Sequence, residues 1–125
     1  QVNSLGVGTA ASTTAGEIRA TNDITAFYSS DERLKENITP IESALEKLLQ
    51  ISGVEFDWIE NAELHPNKGH DVGVIAQQII KVLPEVVTQR DNGYYAVRYE
   101  KVIALLIEAI KDLNDKLESC DGFTK

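Results

Sequence analysis

Two residues in this chain carry the chemistry of a covalent catalyst at a spacing that lets them meet. Ser30 and Lys35 stand five positions apart in Ser30-Asp31-Glu32-Arg33-Leu34-Lys35, which continues into Glu36-Asn37-Ile38. A serine hydroxyl is a weak nucleophile until a base takes its proton. A lysine serves as that base when burial or nearby positive charge lowers its pKa. Arg33 would push Lys35 in that direction, whereas Glu32 and Glu36 would oppose it. The same residues have a plainer reading, with Ser30 as the N-cap of a helix and Asp31 and Glu32 in its first turn. Spacing leaves both open.

Other candidates for chemistry are weaker. His65 and His70 flank Pro66-Asn67-Lys68-Gly69 with no cysteine nearby, short of a usual zinc set. No metal or cofactor is therefore expected. Cys120 is the only cysteine, so an intrachain disulfide is impossible and the compartment is unconstrained.

The Ser30–Lys35 stretch lies on a border in composition. Residues 1–29 are small and Gly/Ala/Thr-rich, with Gly6, Gly8, Gly16 and the run Thr9-Ala10-Ala11-Ser12-Thr13-Thr14-Ala15. Such a segment buries too little apolar surface to stay folded as an isolated monomer. Its later part alternates, in Glu17-Ile18-Arg19-Ala20-Thr21 and Asp23-Ile24-Thr25-Ala26-Phe27-Tyr28, which predicts a short hairpin or two edge strands turning at Asn22-Asp23. It is either a flexible linker or the end of a β-structured stalk whose core is shared between chains. Residues 30–125 form the second division, a compact α+β unit.

At 125 residues the chain is one small domain, or a domain with an appendage. A net charge of −8 argues against a nucleic-acid or anionic-membrane surface, which needs clustered Lys and Arg. No apolar run approaches the length of a membrane span. The opening Gln1-Val2-Asn3-Ser4 lacks the basic and apolar regions of a signal peptide and reads as the cut end of a longer chain.

The elements that must position the pair follow in order. Thr39-Pro40-Ile41-Glu42 carries a capping-box signature and predicts a helix with Ile41, Ala44, Leu45, Leu48 and Leu49 on one face, ending before Ser52-Gly53. Val54-Glu55-Phe56-Asp57-Trp58 alternates as a half-buried strand with Val54, Phe56 and Trp58 inward. Residues 61–69 read as a polar loop. Val72-Gly73-Val74-Ile75-Ala76 begins as a strand and passes into a helix over about 74–82, stopped by Pro84. Glu85-Val86-Val87-Thr88-Gln89 and Tyr94-Tyr95-Ala96-Val97, separated by Arg90-Asp91-Asn92-Gly93, predict a β-hairpin. Residues 99 to about 120 form a helix without internal Gly or Pro, with fraying expected over residues 121–125.

In that last helix Tyr99, Ile103, Leu106, Ile110, Leu113 and Leu117 recur in steps of four, three, four, three and four, a heptad seam. Val102, Leu105, Ile107 and Ala109 add apolar surface beside it, so the first half must be covered on several sides. Either the helix packs wholly on its own domain, or its first half does so while the seam meets copies of itself. The Ile/Leu pattern leans to two strands, but the seam is too short to fix a number.

Several blocks of this sequence resemble one family. The stretch from Ser30 to Ile38 resembles the opening motif of the peptidase S74 family, the C-terminal chaperone and auto-processing domains of phage tail spikes, tail fibres and endosialidases. Leu48 through Trp58 is similar to the family's leucine followed by a Gly-Val-x-Phe/Tyr-x-Trp strand. Asp71-Val72-Gly73-Val74-Ile75-Ala76-Gln77-Gln78 and Val82-Leu83-Pro84-Glu85-Val86-Val87 resemble its Gly-hydrophobic-Ile-Ala-Gln and Leu-Pro-Glu blocks. Val97-Arg98-Tyr99 before Leu105-Leu106-Ile107-Glu108-Ala109-Ile110 completes the resemblance over residues 30–118.

The resemblance implies an α+β fold of small antiparallel strands and a hairpin packed with helices. Its long terminal helices would join in a trimeric bundle or coiled coil, with residues 1–29 the end of the β-stalk served. It implies a homotrimer that aligns the upstream fibre segment of the same polypeptide and then cuts itself off, once, as a serine peptidase. Ser30 maps to the nucleophile and Lys35 to the general base, with the cut expected beside Ser30, at the Ser30–Asp31 bond. The product would be a virion-associated protein made as a precursor in the host cytoplasm, from which the chaperone domain is released. No nucleic acid or membrane enters that scheme. Some relatives carry a histidine directly before the serine, where this chain has Ser29. The rival is a non-catalytic trimerisation or receptor-binding tip in which Ser30 is only a cap.

Overall fold

The computed structural model of the chain describes residues 1–121. It divides into two compact units, residues 1–38 with 57–69 and residues 39–56 with the segment from 70 onward. In the first unit, strands β1 (Leu5–Val7) and β2 (Ile18–Ala20) pair in parallel, Leu5 with Ile18, Gly6 with Arg19 and Val7 with Ala20. Parallel strands usually need a crossover of about a dozen residues or more; here residues 8–17 make the link in bends and one turn, closed by Glu17 N–H donating to the Thr14 carbonyl at 3.3 Å. The Ser4 hydroxyl donates to the Ser12 carbonyl at 2.6 Å, and Gly16 N–H donates to the Asn3 carbonyl at 2.6 Å, holding the link closed.

The hairpin predicted over residues 17–28 is not what forms. Residues 18–20 become β2, but they pair upstream, and residues 23–28 adopt no strand. Ile24 and Phe27 point to solvent, at 72% and 95% exposure. A short alternating run gains its stability from the sheet or core it lies on, and this one has neither within the chain.

The loop predicted over residues 61–69 is built around His65. Trp58 N–H donates to the Gly69 carbonyl at 2.9 Å at its base, and the Trp58 and His65 rings pack at 5.0 Å between centroids. Asn67 N–H donates to His65 Nδ1 at 3.1 Å, which leaves the proton on Nε2, facing the Ile59 carbonyl at 2.8 Å.

The second unit holds the core. Helix α1 (Ala44–Leu48) comes first, followed by strand β3 (Val54–Asp57), which pairs with β4 (His70–Gly73). Val54 and Phe56 are half-buried and Glu55 and Asp57 exposed, as the alternation predicts. Ile75 is extended, and α2 (Ala76–Val82) then runs until Pro84, which opens a 3₁₀ turn over Pro84–Val86. Proline lacks the N–H that a continued helix would need but suits a first turn.

β5 (Val87–Gln89) and β6 (Tyr95–Val97) form the predicted antiparallel hairpin, pairing Val87 with Val97 and Gln89 with Tyr95. Its turn is not the two-residue Asn-Gly type. Arg90 N–H donates to the Tyr94 carbonyl and Gly93 N–H to the Arg90 carbonyl, with Gly93 at φ 89° and Asn92 at an ordinary negative φ. That is the longer hairpin turn in which one left-handed glycine closes the loop.

A 3₁₀ turn at Tyr99–Lys101 leads into α3 (Val102–Asp121). Beyond Asp121, the fraying expected of the terminus lies outside the described residues. The core joins Ala44, Ile79, Val82, Leu83, Val86, Leu105 and Ala109, with Leu45, Leu48, Val87, Val97 and Val102 packed against it. The result is a mixed α+β fold with small strands and a long terminal helix. No helix among the described residues is long and apolar enough to cross a membrane.

One predicted element starts late. The capping box at residues 39–42 does not form; α1 begins at Ala44, preceded by Ser43 at φ 52° with no side-chain cap. Its free N–H at Leu45 is instead met by Asp112 of α3, whose Oδ2 accepts at 3.2 Å. A carboxylate from a distant helix does what a local cap was expected to do, and favours the positive end of the α1 dipole. The bond also seats fully buried Ala44 against α3.

Candidate active site

The site builds from a single turn. A 3₁₀ turn covers Glu32–Leu34, with Leu34 N–H donating to the Asp31 carbonyl at 3.0 Å and Lys35 N–H to the Glu32 carbonyl at 3.1 Å. Its N-cap is Asp31, whose Oδ1 accepts from Arg33 N–H at 2.8 Å. The alternative in which Ser30 caps a helix is thereby corrected: an aspartate one residue later does the capping, and the serine hydroxyl is left for another partner. That partner is Lys35. Its Nζ donates to Ser30 Oγ at 2.9 Å.

Charge around the pair differs from the sequence expectation. By sequence, Arg33 is the cation expected to act on Lys35. Its guanidinium instead grips Asp31, with Nε to Oδ1 at 3.1 Å and a terminal nitrogen to Oδ2 at 2.8 Å. The guanidinium and the Arg33 backbone N–H hold the Asp31 carboxyl below its usual pKa, and the carboxylate raises that of Arg33.

Residues 21–40 are all exposed, so in a single chain Ser30 and Lys35 meet in open solvent. An ammonium that donates to a hydroxyl does not activate it; the pair becomes nucleophile and base only when the lysine gives up its proton, which exclusion from water favours. The geometry supplies contact, and the single chain does not supply desolvation.

A second feature lies on α3, in the other unit. Leu105 and Ala109 are fully buried and Val102 partly so, on the side facing α1. The predicted seam runs beside that face, about a quarter turn round the helix: Ile103, Leu106, Ile110, Leu113 and Leu117 are 40–64% exposed. Tyr99 differs from the others. It stands in the 3₁₀ turn ahead of α3, half exposed, and its hydroxyl accepts from Val74 N–H at 3.2 Å. That hydroxyl lies where a side chain on Gly73 would sit, since a Cβ there would come within 2.5 Å of it. At the glycine of the Gly-Val-Ile-Ala-Gln block, any side chain would therefore displace the Tyr99 hydroxyl.

Neither histidine is free to act alone. Both His65 ring nitrogens are taken by backbone groups, and His70 Nε2 lies 3.3 Å from Glu55 Oε1 on the paired strand. Sequence reasoning missed the capping roles of Asp31 and Asp112. The first had a local signal, since Asp ahead of a short turn is a common cap; the second had none, because its partner is remote in sequence.

Comparison with known proteins gives four concordant findings. Residues 30–88 match the peptidase S74 family, described as chaperone of endosialidase, and the matched segment begins at Ser30. The long tail fiber protein Gp37 of Enterobacteria phage K3 is 34% identical over 100 residues, covering 77% of this chain and 8% of that protein. Its counterpart in Enterobacteria phage T2 is also 34% identical, over 77% of this chain and 7% of its own length. That of Enterobacteria phage M1 is 31% identical over 78% of this chain and 39% of its own length. The chain therefore spans between 7% and 39% of the length of these fibre proteins.

Proposed function

From a chain that carries a peptidase S74 chaperone domain at residues 30–88, we propose an intramolecular chaperone that assembles a phage tail fibre and then removes itself by one self-cleavage. The observation that carries this reading is the contact of Lys35 Nζ with Ser30 Oγ, at the point where the family match begins. Three copies join through the exposed seam Ile103, Leu106, Ile110, Leu113 and Leu117, with Tyr99 at its start. The Gly/Thr-rich segment upstream has little core of its own and faces a large entropic barrier to multi-chain assembly. Joining the domains that follow raises the effective concentration of the three strands.

Cleavage would then lock the product. Once the chaperone is gone the assembled fibre has no folding unit to reverse through, and it persists kinetically. For the cut, neutral Lys35 accepts the Ser30 hydroxyl proton. Attack by Ser30 Oγ on its own carbonyl would close a four-membered ring. A cut at Ser30–Asp31, the expected bond, therefore takes as attacking oxygen either a water, whose proton passes through Ser30 to Lys35, or the serine of a neighbouring copy, whose ester with the Ser30 carbonyl water then hydrolyses; in both, the Asp31 amine leaves with the proton that the lysine returns. Attack on the Ser29 carbonyl closes a five-membered ring and moves the Ser29 acyl group from the Ser30 nitrogen to its Oγ as an ester, the lysine returning its proton to the amine; water then hydrolyses that ester and parts Ser29 from Ser30. Assembly gates the reaction because the pair lies in open solvent in a single chain and needs neighbouring copies to exclude water. The released domain leaves a fibre bound for the virion, from a precursor made in the host cytoplasm.

A non-catalytic trimerisation or receptor-binding tip is the second reading, favoured by the exposure of Ser30 and Lys35 to solvent. Following intact mass with time separates the two. Loss of residues 1–29 or 1–30 from the wild type, absent in Ser30→Ala and Lys35→Ala, supports self-cleavage. An assembled wild type that stays whole supports the tip.

A further inference from the structure

We propose that Asp31 and Arg33 are positioning residues for the Ser30–Lys35 pair, an inference that rests on the self-cleavage reading above. Fully extended, the five steps from residue 30 to residue 35 would span roughly 17 Å between Cα atoms, too far for the lysine side chain to return to the serine. The chain is instead shortened by the 3₁₀ turn at Glu32–Leu34. An isolated turn in open solvent is a weak element, because it fixes several dihedrals for few hydrogen bonds. None of the turn's own residues is buried.

Asp31 and Arg33 supply what the core does not. The Asp31 carboxylate accepts from the turn's own N–H at Arg33 and, at the same time, from Nε and one terminal nitrogen along one edge of the Arg33 guanidinium, at 2.8, 3.1 and 2.8 Å. A bidentate fork fixes orientation as well as distance, and only arginine presents one. The clamp leaves Ser30 just before the turn and Lys35 just after it, their polar atoms 2.9 Å apart. It also fixes the residue on the amine side of the Ser30–Asp31 bond. Arg33 thus acts through Asp31 and the turn, and its charge is engaged away from the lysine.

The test measures the first-order rate of self-cleavage by intact mass in the full chain, with oligomeric state checked by sedimentation, from neutral to alkaline pH. Asp31→Ala removes cap and fork together and slows the cut by about tenfold or more. Arg33→Ala and Arg33→Lys both lose the fork and slow it by a similar few-fold factor, while Asp31→Asn, which retains a cap acceptor, falls between wild type and Asp31→Ala. In every case the rate falls and the midpoint of its pH profile stays in place. A wild-type rate in Asp31→Ala, recovery of that rate in Arg33→Lys, or a displaced midpoint in Arg33→Ala overturns the positioning role while leaving self-cleavage standing. A wild type that never cuts overturns both.

Discussion

Gly73 gives a quantitative test of how the second unit is assembled. In Gly73→Ala the new Cβ would stand 2.5 Å from the Tyr99 hydroxyl oxygen, 3.5 Å from Phe56 Cε1 and 3.6 Å from Tyr99 Cζ. Only the first distance is too short. If the tyrosine stays, the site is overpacked, at about 1–3 kcal/mol. If it swings out, its bond with Val74 N–H is lost, at about 0.5–1.5 kcal/mol. Tyr99 is half exposed, so the second route is open and limits the cost to about 1 kcal/mol. In a Tyr99→Phe background the offending oxygen is absent and the remaining contacts are ordinary, so the cost of Gly73→Ala should fall close to zero. Urea unfolding at one fixed protein concentration, on wild type, both single variants and the double, reads this directly. The expected coupling is about 1 kcal/mol, outside the roughly 0.3–0.5 kcal/mol expected of independent sites. Additivity within that margin would refute the assignment of Gly73 to the approach of Tyr99.

Further outcomes separate the two faces of α3 and test the turn. Leu105→Ala, at a site with no exposed surface, should lower stability by about 2–5 kcal/mol in the same unfolding assay; a loss below about 1 kcal/mol would contradict its place in the core. Ile110→Glu, on the exposed side, should leave the far-ultraviolet circular dichroism of the chain intact while its sedimentation mass falls to that of one copy; an unchanged mass would remove the seam from the assembly. The carboxyl of Asp31 should titrate below the usual carboxylate range, because Arg33 favours its ionised form. A depressed folded pKa means that the turn's added stability is present above the unfolded value of about 3.9 and lost as pH falls through the folded one. Carboxyl carbon NMR should place the midpoint low and show it rising in Arg33→Ala, and an equal midpoint in both chains would contradict the clamp.

Much of this architecture was legible where the signal is local. Pro84 stops α2 because proline cannot continue a helix, and Asn92-Gly93 marks the hairpin because glycine tolerates the left-handed conformation. The alternation of Val54, Glu55, Phe56 and Asp57 reads directly as β3. What was not legible depends on partners distant in sequence. The start of α1 is set by Asp112, sixty-seven positions from Leu45, so the capping box at Thr39 was overruled by a contact that no local pattern encodes. Strand β2 finds its partner upstream in β1, and the run through Ile24 and Phe27 stays unpaired with any strand, because alternation shows a preference for a sheet and not which sheet. At the candidate site the spacing of Ser30 and Lys35 was visible, but not the means of closing it. Arg33 looked like a charge beside the lysine, and the two-residue step to Asp31 turned it away.

The central claim is that this chain cuts itself once, beside Ser30, after its copies have assembled. Its most direct test is intact mass spectrometry over time on the purified wild-type oligomer, with Ser30→Ala and Lys35→Ala alongside. The account predicts conversion of the wild type into residues 31–125 and a released 1–30 segment, at a rate that depends on assembly, with both variants remaining whole. A wild-type chain that stays covalently continuous through Ser30–Asp31 and Ser29–Ser30 in the assembled state would contradict it.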